Sequence, residues 1–141
     1  MPKPDTSLLL PSRYAFRAEV TPRYSDLDPN GHINNLALAQ AIEDGRVRMY
    51  AQLGRPLGSG LVVVSLTVDF LAEATHGDAL HIHSGIAAIG RSSWTVGQLA
   101  LQAGRPVAYA TSVMLLMVDG APALTSDWRG LLETNLIRPA S

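Results

Sequence analysis

The feature that most constrains this chain is one long amphipathic run, Leu36 to Leu53, set among segments that alternate with a period of two. Leu38, Ile42, Gly45, Met49 and Leu53 recur at helical spacing, and Gln40, Asp44, Arg48 and Gln52 fall opposite them. That spacing gathers the apolar side chains into a single stripe. Before it, Tyr14–Tyr24 alternates Phe16, Ala18 and Val20 with Arg17, Glu19 and Thr21. After it, Leu61–Leu71 puts Val62, Val64, Leu66, Val68 and Phe70 on one face and Ser65, Thr67 and Asp69 on the other. Three more strand-like runs follow, Ala79–Ile89, Ser92–Gln102 and Pro106–Val118, parted only by Gly90-Arg91 and Ala103-Gly104-Arg105. One helix cannot supply the crossovers of a parallel sheet, and breaks this short make antiparallel hairpins. The pattern predicts an α+β domain with an antiparallel sheet wrapped around one long central helix. Asn34 or Asn35 suits the N-cap of that helix and Gly54 its end. Gly45, costing about 1 kcal/mol relative to Ala inside a helix, predicts close packing on the sheet. Asp119–Thr125 reads as a loop and Ser126–Leu136 as a short terminal helix.

Composition narrows the function classes. The 141 residues, 47% hydrophobic, suffice for one domain with its own core. Residues 1–12 read as a flexible tail, since Met1–Pro11 holds three prolines and no signal-peptide pattern. Residues 13–141 read as the single domain. A net charge of −1 leaves no electrostatic footprint for nucleic acid or an anionic membrane. The absence of cysteine removes disulfides, thiolate zinc sites and cysteine nucleophiles together. No apolar run approaches the ~18 residues of a membrane span, so a cytoplasmic location is expected.

Between the first strand and the helix lies Arg23-Tyr-Ser-Asp-Leu-Asp-Pro-Asn-Gly-His-Ile-Asn-Asn35. Asp28-Pro29-Asn30-Gly31 has turn chemistry, but a bare turn does not account for Asp26, His32 and the paired amides at a helix start. Functional groups concentrate on loops held by rigid elements. A calcium loop fits Asp26, Asp28, Asn30 and Gly31, yet its twelfth position, where a bidentate Glu belongs, is Ala37. A transition-metal site would combine His32 with His81 and His83, whose spacing aims both rings at one face, opposite Leu80, Ile82 and Ile86; solvent-facing histidines are the simpler account. Gly58-Ser59-Gly60 lacks the nucleophile-elbow pattern. No metal and no cofactor are therefore expected. Carboxylate chemistry fits better: an Asp beside a helix N-terminus can serve as nucleophile or base, and free backbone N–H groups can hold a developing oxyanion. Such a site suits thioester hydrolysis; the same pocket could instead only bind an acyl group. Glu43–Arg46 reads as an i,i+3 pair and Asp44–Arg48 as an i,i+4 pair.

Asp26-Leu-Asp28-Pro-Asn30-Gly-His32-Ile-Asn34-Asn35, with Glu43 and Arg46 on the helix and Ile89-Gly-Arg-Ser-Ser93 later, resembles the hotdog-fold acyl thioesterases of the 4-hydroxybenzoyl-CoA thioesterase branch. Asp28-x-Asn30-x-His32-x-Asn34-Asn35 is also similar to plant acyl-carrier-protein thioesterases. The resemblance implies a hotdog fold and hydrolysis of an acyl-CoA thioester, or of a carrier-protein thioester. It assigns catalysis to Asp28, His32 and Asn35, with Asn35 near the amide that faces the thioester oxygen. Asn30 and Asn34 line the substrate, and Arg91, Ser92 and Ser93 contact the CoA arm. A homodimer or homotetramer with shared active sites is implied as well. The alternative is a non-catalytic acyl-CoA-binding or regulatory hotdog protein, which would lack the loop carboxylate that Asp28 supplies here.

Overall fold

The computed structural model describes residues 5–139. Strands β1 (Phe16–Val20), β2 (Leu61–Phe70), β3 (Leu80–Ile89), β4 (Trp94–Gln102) and β5 (Arg105–Val118) form one antiparallel sheet in the order β1-β3-β4-β5-β2. Helix α1 (Asn35–Gln52) lies across it against β1, β3 and β4. A two-residue strand β6 (Ala121–Pro122) pairs with β5, and α2 (Ser126–Glu133) packs on β3. This is the hotdog architecture that the resemblance implies, and β3–β4–β5 is the expected meander. The second strand goes to the far edge because β5, the longest, pairs with β4 on one side and β2 on the other.

The helix buries the stripe its sequence announces: Leu38, Ala41, Ile42, Met49 and Tyr50 are all in the core. Gly45 is needed for close approach. A Cβ there would stand 2.5 Å from Ile82 Cγ2, so any side chain would push α1 off the sheet. Two apolar clusters divide the space beneath the helix. Near its start, Ile33, Leu38, Ile42, Leu80, Ile82 and Val107 pack together. Near its end, Met49, Tyr50, Trp94, Met114, Trp128 and Leu132 do so. No helix of the described residues is long and apolar enough to cross a membrane.

Three expectations need correction. The alternation read through Leu61–Leu71 is interrupted by a bulge between Val63 and Ser65, and Val62, Val63, Val64, Leu66 and Phe70 are all exposed. The N-terminal segment is not a loose tail from residue 5 onward. Thr6–Leu9 and Pro11–Arg13 form 3-10 turns, and Leu8 and Leu9 pack with Tyr14, Leu99, Leu101, Tyr109 and Ile137 on the outer face of the sheet; residues 1–4 of the predicted tail lie outside the described residues. His81 and His83, expected to face solvent, are half-buried on that outer face, opposite Glu19 and Arg17 of β1. Burial, followed by the Arg17 and His81 charges, holds the His83 imidazole below its ordinary pKa.

Candidate active site

The loop between β1 and α1 is fixed largely by its own side chains. The Asp26 carboxylate accepts from the Arg23 backbone N–H (2.9 Å) and the Arg23 guanidinium (3.1 Å), and those contacts hold its carboxyl below the usual range. The Asp26 carbonyl accepts both the Asn34 backbone N–H and Asn34 Nδ2, each at 2.9 Å. Asn34 Oδ1 in turn accepts the Ala37 N–H at 2.8 Å and is the N-cap of α1. Both ends of the Asn34 amide thus join loop and helix, and Asn34 also lines the cleft that Asp28 borders.

Between these anchors the chain makes a tight reversal. The Asp28 N–H donates to the His32 carbonyl (2.8 Å), the Gly31 N–H donates to the Asp28 carbonyl (3.0 Å), and Leu27 bridges Ile33. Gly31 has φ +78°, the left-handed conformation that glycine adopts without strain. Inside the reversal, Asp28 Oδ1 accepts the N–H groups of Asn30 (2.9 Å) and His32 (3.0 Å). Asp28 Oδ2 has no partner among the described residues. At the adjoining helix start the N–H groups of Asn35 and Leu36 likewise donate to nothing among the described residues, since the capping amide serves Ala37. Asp28, with this one oxygen uncommitted, and Asn35, at a helix start with open amide donors, line the same cleft, and acyl transfer calls for a carboxylate and an anion hole of this kind.

The opposite wall is the segment after β2, which sequence reading left out. Ile33 N–H donates to the Ala74 carbonyl (2.7 Å) and His32 bridges Thr75. His32 Nε2 lies 3.1 Å from Glu73 Oε2. The buried Gln102 side chain pins this wall by accepting the Thr75 N–H (2.8 Å) and donating to the Thr75 and Asp78 carbonyls. Asp28, His32, Asn35, Leu38, Phe70 and Glu73 thus border one open cleft of about 440 Å³. The only sequence signal for Glu73 is a lone acid in Leu71-Ala-Glu-Ala-Thr75, which resembles a solvated turn; its relation to His32 is set by pairing between distant segments.

Asn30 sits on the exposed tip of the reversal, and Asn35 is exposed at the helix start. Arg91, Ser92 and Ser93 occupy the β3–β4 turn, where Gly90 N–H donates to the Ser93 carbonyl and Arg129 binds the Gly90 and Arg91 carbonyls. That turn adjoins Trp94, whose Nε1 donates to the Tyr50 hydroxyl near the far end of α1. With about 22 Å of helix between Asn35 and Tyr50, one chain does not bring Arg91–Ser93 to Asp28. His32 and the His81/His83 pair do not converge either. Among the described residues, no group of three or more acidic or histidine side chains could hold a metal ion.

A family model described as thioesterase-like superfamily matches residues 22–128. Among solved structures, a thioesterase from Thermus thermophilus, complexed with coenzyme A and Zn, is 28% identical with a TM-score of 0.78 over 84% of this chain and 98% of that one. A predicted thioesterase from Bacillus stearothermophilus is 27% identical with a TM-score of 0.80 over 89% of this chain and 98% of that one. No curated protein matches in sequence.

Proposed function

The chain belongs to the thioesterase-like superfamily, and on that footing we propose that it hydrolyses an acyl-CoA thioester to a free carboxylic acid and CoA, with Asp28 as the catalytic carboxylate. The observation that carries this reading is that Asp28, whose Oδ2 has no partner among the described residues, lines one cleft with Asn35, at a helix start whose Asn35 and Leu36 amides are open. In this reading the thioester carbonyl oxygen points at those amides, which stabilise the charge it gains when the carbon becomes tetrahedral. Asp28 Oδ2 either removes a proton from the attacking water or attacks the carbonyl carbon itself. The C–S bond breaks in both routes, and the CoA thiolate leaves and takes up a proton; in the second route water then hydrolyses the acyl–Asp28 anhydride, releasing the acid and restoring the carboxylate. The His32 backbone N–H helps orient the Asp28 carboxylate, while its imidazole, held by Glu73, borders the cleft and positions the thioester there. A coenzyme A complex of the Thermus thermophilus relative supports CoA over a carrier protein as the thiol.

A homodimer belongs to the same proposal. Strand β2 has one unpaired edge and exposes Val62, Val64, Leu66 and Phe70, a surface suited to meeting a second copy. Such a partner would also let its own Arg91–Ser93 turn approach the Asp28 cleft and hold the CoA arm. The test is hydrolysis across an acyl-CoA panel with thiol detection, comparing wild type with Asp28→Asn. The substitution preserves size and removes the basic oxygen, and kcat should fall at least ~100-fold with little change in KM. Wild-type rates in folded Asp28→Asn would refute the assignment of Asp28.

A further inference from the structure

A second cavity, of about 320 Å³, lies toward the other end of α1, between that helix, the 55–60 loop and strands β2 and β5. It shares no lining residue with the Asp28 cleft. Arg46, which borders it, begins about 16 Å along the helix from Asn35. Its walls are mainly apolar, from Val47, Leu61, Val63 and Met114. Two cations interrupt them. Arg55 is half-buried and lies over the Trp128 ring at 5.5 Å.

Arg46 is the unusual one. The i,i+3 spacing predicts a simple pair with Glu43, and an exposed pair of that kind needs no explanation. The Arg46 side chain is instead 96% buried (4% exposed), while Glu43 is mostly in solvent. Their closest approach is 3.8 Å, beyond a hydrogen bond, and Arg46 Nη1 has no hydrogen-bond partner among the described residues. A guanidinium has five donors and stays charged. Keeping one buried with a single long-range anion in solvent and Nη1 unmet is costly, so a chain that retains it gains something by doing so.

We propose that this cavity binds a small amphiphilic monocarboxylate, whose carboxylate pairs with Arg46 and whose hydrocarbon body lies against Val47, Leu61, Val63 and Met114. A monoanion fits the local charge: Arg46 and Arg55 contribute two positive charges, and the Glu43 carboxylate at the rim offsets one. A dianion such as a phosphate monoester would be repelled by Glu43 and would leave the apolar walls unmet. A neutral ligand would leave the guanidinium unpaired. The Arg46 guanidinium can meet a carboxylate with a charge-assisted hydrogen bond.

Both tryptophans of the chain adjoin the cavity, Trp94 through its hydrogen bond to Tyr50 and Trp128 beneath Arg55, so intrinsic fluorescence reports on it. The experiment titrates octanoate and its neutral counterpart octanamide into wild type, Arg46→Met and Asp28→Asn. Octanoate should bind wild type at least about tenfold more tightly than octanamide, a preference worth one charge-assisted contact. Arg46→Met should erase that preference and melt no lower than wild type, because it removes a buried charge that only the solvent-exposed Glu43 offsets. Asp28→Asn should keep the octanoate response whether or not it hydrolyses thioesters, which separates this site from the catalytic reading. Should Arg46→Met fail to fold, Val47→Phe narrows the cavity with Arg46 in place, and must weaken octanoate. Equal responses to octanoate and octanamide, or an octanoate response lost in Asp28→Asn, would overturn the proposal. So would an Arg46→Met protein that keeps its octanoate preference but dissociates from a dimer to a monomer, since a second copy would then be supplying the anion.

Discussion

Asp28 and Asp26 stand two positions apart and do different work because their surroundings differ. Both Asp26 oxygens are taken by Arg23, so that carboxylate braces the loop. Asp28 spends one oxygen on two backbone N–H groups and keeps the other. Across the cleft, Glu73 orients His32 from a mostly solvent-exposed position, so its electrostatic worth is small. Glu73→Gln should therefore lower kcat only severalfold, less than His32→Ala, and the double variant should match His32→Ala alone because both act through one imidazole. Additive losses in that cycle would show that Glu73 acts on substrate directly. A second residue-scale prediction concerns stability. The folded-state pKa of His83 is lowered from 6.5 by burial and by Arg17 and His81. Below pH 6.5 the unfolded chain then binds the proton more readily than the folded one, so this contribution to stability is complete above that pH and is lost as pH falls toward the lower folded value. His83→Gln should flatten the decline in melting temperature over that window relative to wild type.

At the scale of elements, α1 and the sheet are matched by the absence of a side chain. Gly45→Ala would raise helix propensity by about 1 kcal/mol, but the added methyl would meet Ile82 Cγ2 at 2.5 Å. Overpacking of this kind costs about 1–3 kcal/mol, so the variant should melt lower than wild type despite its better helix former. Denaturant midpoints at or above wild type would mean that α1 can shift outward without loss. On the other face, Gly85 and Gly97 are directly paired across β3 and β4, and Ile137 packs onto both, since a Cβ at either would stand 2.9 or 2.7 Å from its side chain. The backbone holds it there: Ile137 N–H donates to the Ile86 carbonyl, Ile86 N–H to the Asn135 carbonyl, and Arg138 N–H to the Arg13 carbonyl.

For the whole molecule, the chain covers both faces of the sheet in part and leaves β2 exposed. Helix α1 covers the inner face over β1, β3 and β4. The N-terminal turns and the 135–138 segment cover Leu99, Leu101 and Tyr109 on the outer face. The proposed assembly through β2 would accordingly give a dimer sooner than a back-to-back tetramer. Leu66→Lys, at an exposed position on that edge, should give a folded monomer by sedimentation and lose thioester hydrolysis if the cleft is completed by a partner. A Leu66→Lys protein that stays dimeric would place the interface elsewhere.

How much of this was legible in the sequence depends on the range of the interactions involved. The stripe of α1, the element order β–α–β–β–β–β, the turn at Asp28–Gly31 and a cap at Asn34 or Asn35 follow from contacts a few residues apart, and period, turn chemistry and capping record them directly. The resemblance carried by Asp28, Asn30, His32, Asn34 and Asn35 rests on the same local run. What only the tertiary structure decided involves partners far apart in the chain. Glu73 reaches His32 because the segment after β2 is pinned by Gln102 across 27 positions. The bulge at Val63–Ser65 depends on the fit of β2 to β5. Arg46 reads as half of a helical ion pair until the sheet buries it and leaves Glu43 outside. Arg91–Ser93 share a family motif with the Asp28 loop, yet the length of one helix separates them. Periodicity names the face a residue occupies, whereas burial and pairing depend on what the rest of the chain places against that face.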